Sequence, residues 1–168
     1  MATILPTVRS FQAKRVRYDT RRAFDAVLAD LRAAVGDATR GELAAAADGS
    51  LSKDDFETRM KKVTGDSDFM LFFELDHGAW LQTYGIHRNA LRWVFGNPVI
   101  AYTMLRYDII AGLFAPVEML LLESEARDGT TIIYNLPSSL MVIDDNRPLL
   151  NAARSLDQKF AALIERVV

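Results

Sequence analysis

The chain has 168 residues, half of them hydrophobic, which suits one domain burying roughly 70% of its extended-chain surface. Its 20 Lys and Arg against 22 Asp and Glu leave a formal charge of −2, so composition supplies no general attraction to nucleic acid or an anionic membrane. The lack of cysteine excludes disulfide scaffolding, thiolate catalysis and sulfur-rich zinc sites, and suits a reducing cytoplasm, the expected location.

In chain order, the N-terminal Met1 to Pro6 lacks the basic and apolar regions of a leader. Ser10 to Tyr18 reads as a strand, with Val16 and Tyr18 on one face and Arg15 and Arg17 on the other. The basic residues of this region fit a solvated strand face that discourages edge pairing better than a nucleic-acid reader. Thr20 is a candidate N-cap for a helix whose Phe24, Val27, Leu28, Leu31 and Val35 recur at helical spacing before Gly36 stops it.

Residues 37–67 turn to Ala, Gly and charge. Two helices, 42–47 and 52–63, are expected there, as a helical insertion within a single domain spanning residues 1–168. Phe69 to Leu75 is an apolar strand, followed at Asp76 by a short helix with Trp80 and Tyr84. Ala90 to Phe95 is the next strand. Asn97 and Pro98 then suit the N-cap and first position of a helix over Val99 to Tyr107.

The segment from Ile109 to Leu122 is interrupted by Glu118 and too short to span a bilayer. Val117 to Ser124 and Thr130 to Leu136 form strands about Arg127-Asp128-Gly129, a hairpin signal. From Pro148 onward, Leu149, Ala153, Leu156, Phe160, Leu163, Ile164 and Val167 mark one face of a C-terminal helix. The helix can cover the sheet or pair with a second copy.

Three signatures stand at the ends of these strands: Leu75-Asp76-His77, Phe95-Gly96-Asn97-Pro98 and Tyr134-Asn135-Leu136-Pro137. Their order and spacing across Leu71 to Met141 resemble the bacterial and archaeal family catalogued as domain of unknown function 302. The resemblance implies an α+β two-layer sandwich, often dimeric, with helices against a largely antiparallel sheet, and it implies no established activity. The chain departs from the family's usual pattern at Ala101-Tyr102-Thr103-Met104-Leu105 and at Ala115-Pro116.

Each signature has a structural and a functional reading. Asp76 either caps the following helix or orients His77 as a proton carrier. Gly96-Asn97-Pro98 is good turn chemistry, and it also leaves the N–H groups from Val99 onward facing any anion, without a glycine-rich phosphate loop around them. Tyr134 is either a core tyrosine or part of a polar cluster with His77, Asn97 or Thr103. Glu118, inside an apolar strand, calls for an ion-pair partner. Glu74, Asp76 and Glu118 show no established ligand spacing with the two histidines, so no metal and no cofactor is expected.

The leading expectation is a non-enzymatic homodimeric domain that binds a small, partly apolar molecule through His77, Asn97, Thr103, Met104 and Tyr134, with Asp76 and Glu118 in support. The alternatives are an enzyme using Asp76 and His77 for acid–base chemistry, and a protein-interaction module whose motifs serve folding only. Neither nucleic acid nor membrane is expected as a partner.

Overall fold

A computed structural model describes residues 5–46, 49 and 51–168. Residues 1–4, and Ala47 at the end of the expected 42–47 helix, lie outside the described residues. Six strands form one sheet in the order β1-β6-β5-β4-β3-β2: β1 (Arg15–Thr20), β2 (Gly36–Asp37), β3 (Met70–Asp76), β4 (Ala90–Gly96), β5 (Val117–Glu123) and β6 (Thr130–Asn135). Strands β3 to β6 form an antiparallel meander, β1 adds antiparallel to β6, and β2 adds parallel to β3. The result is an α+β fold with a largely antiparallel sheet.

The long helices α1 (Phe24–Ala34) and α7 (Arg147–Val167) cover one sheet face. From α7, Leu149, Ala153, Leu156, Phe160, Leu163, Ile164 and Val167 are buried, the whole of the face read from helical spacing. Phe160 is the centre of this layer. Its ring stacks on Tyr134 at 4.0 Å and meets Phe95 edge-on at 5.0 Å, and Phe95 continues into Trp93 and Phe69. The polar groups in this layer are paired: Glu74 accepts from the Trp93 indole at 2.7 Å and from Arg32 of α1 at 3.0 Å.

The helices α2 (Glu42–Ala46) and α3 (Lys53–Val63) follow α1. Ser52 caps α3 by accepting from Asp55 N–H, and Met60 is the buried residue of that helix. Met60, Ala38 and Met70 form a small second core, with Phe56, Val63, Phe72 and Val99 against it.

Gly36 does end the first helical region, but it also begins β2, whose two residues pair with Met70 and Leu71. Here the chain crosses itself closely: a Cβ on Gly36 would lie 1.7 Å from the Val63 carbonyl oxygen, and one on Gly65 would lie 2.3 Å from that of Ala34. Only glycines permit this approach. It ties the end of α1 to the end of α3.

The other elements are short. A five-residue helix α4 (His77–Leu81) continues as a 3₁₀ turn (Gln82–Tyr84), α5 (Pro98–Leu105) follows β4, a 3₁₀ segment (Ile109–Phe114) precedes β5, and α6 (Pro137–Met141) follows β6. Several boundaries differ from the sequence reading. The first strand starts at Arg15 rather than Ser10, where the ladder to β6 begins. Thr20 is the last residue of that strand, and its hydroxyl accepts from Arg22 N–H. Helix α1 starts later, at Phe24, without a side-chain cap. Among the described residues, no helix is long and apolar enough to cross a membrane.

Candidate functional site

Alternation along the strands sends Trp93, Phe95, Met119, Leu121, Ile132 and Tyr134 to the helices. The residues between them, Arg92, Val94, Glu118, Leu120, Leu122, Ile133 and Asn135, therefore emerge on the opposite face. Among the described residues, no long helix covers that face. A groove of about 600 Å³ runs over it, floored by Leu120, Leu122 and Ile133 and walled by His77, Trp80 and Leu81 of α4.

Helix α4 takes this position because Asp76 caps it, accepting from Ala79 N–H at 2.9 Å, and because Gly78 lies against the chain entering β4, where a Cβ would stand 2.7 Å from the Arg88 carbonyl oxygen. Trp80 is about half exposed, and the His77 and Tyr84 rings meet it edge-on at 5.8 and 6.2 Å. An aromatic rim therefore overhangs an aliphatic floor.

The polar groups of the groove form a row across the strands. Arg15 donates from Nε to Asn135 Oδ1 at 3.1 Å, and Glu118 is bound on both oxygens by Arg92, at 2.6 and 3.2 Å. The ion pair expected for Glu118 is present. Beyond this row the surface continues into a second hollow of about 350 Å³ between the 3₁₀ segment and α6, lined by Leu113, Phe114, Pro116 and Leu140 and sharing Glu118 and Asn135 with the first. Next along β1, Asp19 is held below the ordinary aspartate range, first by its hydrogen bonds from Arg17 and then by that from Thr131.

The residues singled out in the sequence do not all meet. His77 and Glu118 face the groove. Tyr134 borders it, but its ring is stacked on Phe160 in the helix-covered layer. Burial foremost, with Tyr18, Asp157 and Glu165 adding to it, pushes the Tyr134 phenol well up from the ordinary tyrosine range.

Asn97 is engaged as a cap. Its Oδ1 accepts from Val99 N–H at 2.8 Å, and its Nδ2 donates to the Asp68 carbonyl at 2.9 Å. Thr103 is exposed on α5 and donates to the Ile100 carbonyl, while Met104 is buried in the helix-covered core. Asn97, Thr103 and Met104 thus lie apart from the groove, for a common reason: strand-end position in sequence does not say to which side of a sheet a following helix folds.

Sequence reading missed the floor itself. A signal was present in Val117-Glu118-Met119-Leu120-Leu121-Leu122, a near-continuous apolar run that marks a strand apolar on both faces, of which the helices cover one. Among the described residues, no group of three or more His, Asp or Glu side chains is placed to hold a metal ion. Glu74 and Glu118 project from opposite sheet faces, Glu74 toward Arg32 and Trp93 and Glu118 toward Arg92.

The architecture defines an α+β domain whose sheet is covered by long helices on one face and grooved on the other. The chain belongs to the family described as Domain of unknown function DUF302, whose model matches residues 47–167. That span takes in α3, so part of the region read as an insertion falls inside the family match. The fold is also similar to the crystal structure of an uncharacterized conserved protein DUF302 from Bacillus stearothermophilus, with a TM-score of 0.62 and 14% identity over 92% of this chain and 98% of that one. A search of curated proteins returned no significant match.

Proposed function

We propose that this is a non-enzymatic, homodimeric domain that binds a small, partly apolar molecule in the groove between the bare sheet face and α4. The observation that carries the reading is the floor of Leu120, Leu122 and Ile133 beneath the Trp80 rim, on a sheet face that the long helices leave uncovered. Concave, mostly apolar surfaces with a few placed polar groups are the usual form of a small-molecule site. His77, Arg15, Asn135 and the Arg92–Glu118 pair are polar groups of this one. Asp76 supports the site indirectly, through its cap on α4.

Self-association is supported by a different patch. Ile109, Ile110 and Leu113 of the 3₁₀ segment are 80%, 67% and 78% exposed, and neighbouring apolar side chains left open to water mark association surfaces. Light scattering is expected to show a dimer that Ile110→Asp with Leu113→Asp converts to a monomer; a monomeric parent would remove this part of the reading.

Ligand binding is tested with the fluorescent probe 8-anilinonaphthalene-1-sulfonate on the folded protein. Saturable enhancement at one site per chain is expected. The double variant Leu120→Thr/Leu122→Thr keeps β-forming residues while making the floor more polar. It is expected to weaken binding about tenfold, the equivalent of roughly 55 Å² of apolar contact at ~25 cal/mol per Å². Equal enhancement from parent and variant, with both shown folded by circular dichroism, would place the probe elsewhere and defeat the reading.

A further inference from the structure

The groove's charges point beyond a generic apolar ligand. The side chains that line it carry two positive groups, Arg15 and Arg92, one acid, Glu118, and His77. Arg92 and Glu118 neutralise each other through two contacts. Next along β1, Arg17 is likewise neutralised by Asp19. Arg15 differs: its Nε is held by Asn135, and among the described residues no acid lies within ion-pair distance of it. Arg15 is thus an oriented guanidinium at the edge of an aliphatic floor, with terminal N–H groups directed to no carboxylate. Arg92's hold on Glu118 removes as a competitor the carboxylate that, among the described residues, lines the groove.

The floor has a length as well as a polarity. Asn135, beside Arg15, lies at one end of it, and Leu122, which pairs with Thr131 of β6, at the other. At ~3.4 Å per strand residue these ends are about 14 Å apart, a span that an extended decanoate chain covers. Between them lie Ile133, Leu120 and Leu122, with Trp80 and Leu81 overhead.

Building on the reading of the groove as a small-molecule site, we propose that its ligand is a single-chain amphipathic carboxylate, with the acid on Arg15 and the apolar chain lying along Ile133, Leu120 and Leu122 toward α4. A planar guanidinium already fixed by one bond loses little freedom on accepting a carboxylate in a two-pronged contact. A neutral chain of the same length fills the floor and leaves Arg15 unused.

The test is titration of the full chain with decanoate and with 1-decanol, followed by calorimetry and by amide chemical shifts. Decanoate is expected to bind at least tenfold more tightly than decanol. Arg15→Gln should abolish that preference by weakening decanoate, whereas Arg17→Gln, which alters the same net charge on the same strand, should preserve it. Arg15→Lys should retain part of it. Equal affinities for the two probes in the parent, a preference that survives Arg15→Gln, or one lost equally in Arg17→Gln would overturn the assignment while leaving the groove as a site for apolar ligands. Failure of the parent to bind either probe, together with no effect of Leu120→Thr/Leu122→Thr on the fluorescent probe, would overturn the groove reading and this inference with it.

Discussion

Replacement of Phe160 by alanine tests the seam that holds α7 to the sheet. The ring is fully buried, stacked on Tyr134 at 4.0 Å with 24° between planes, and edge-on to Phe95 at 5.0 Å with 87° between planes. Truncating a core phenylalanine costs about 3–5 kcal/mol, and each aromatic pair adds ~0.5–1.5 kcal/mol beyond buried area. Both aromatic contacts are lost here, so a value of about 4–5 kcal/mol is expected, against a total stability on the order of 5–15 kcal/mol. For a chain of this size that corresponds to a fall of roughly 8–20 °C in Tm. Urea unfolding followed by circular dichroism measures the change directly, as a lowered midpoint at constant slope. Phe160→Leu should cost well under half as much, because it keeps most of the volume without the ring contacts. A loss below about 1 kcal/mol for Phe160→Ala would refute the view that this layer is the principal core.

Gly65→Ala, placing a Cβ 2.3 Å from the Ala34 carbonyl oxygen and 2.6 Å from Gly36 N, should destabilise by about 2 kcal/mol or more in the same urea assay, as overpacking against backbone does. Asn97→Ala should cost about 1–2 kcal/mol, since it removes both the α5 cap and the bond to the Asp68 carbonyl, and hydrogen exchange should rise locally at Val99. The Asp19 carboxyl should titrate below an ordinary aspartate by carbon-detected NMR, and Thr131→Val should move it part of the way back. Because its pKa is lowered in the folded state, its contribution to stability is complete above the unfolded-state aspartate pKa and is lost as the pH falls through the lowered value; a midpoint at or above the ordinary value would contradict the geometry.

Much of the fold was legible because it is written in periodicity. The α7 stripe, the alternation of β1 and the Asp-Gly hairpin signal before Thr130 each report a local geometry that tertiary packing then uses. What was not legible depended on distance. The pairing of β2 with β3 rests on the approach of Gly36 to residues near Gly65, which no local pattern announces. Of the expected site, Asp76 and Asn97 could be read as caps from residue type alone, and both cap. The sides to which α4 and α5 fold decide that His77 faces the groove while Thr103 and Met104 do not. Arg15 is visible in the sequence only as part of a basic strand face; that it lacks the acid its neighbours have shows only in the structure, where, among the described residues, Arg17 meets Asp19 and Arg92 meets Glu118.

The alternation that divides the sheet also divides the consequences of mutation. Leu120 stands between Met119 and Leu121, and Ile133 between Ile132 and Tyr134, so these two residues of the groove floor have immediate chain neighbours on both sides that belong to the helix-packed layer. A side chain on one face can be exchanged without repacking the other. The groove face can therefore vary while Phe160 and its partners hold the architecture constant, and a library restricted to positions 15, 118, 120, 122, 133 and 135 would test the proposed site on an unaltered scaffold.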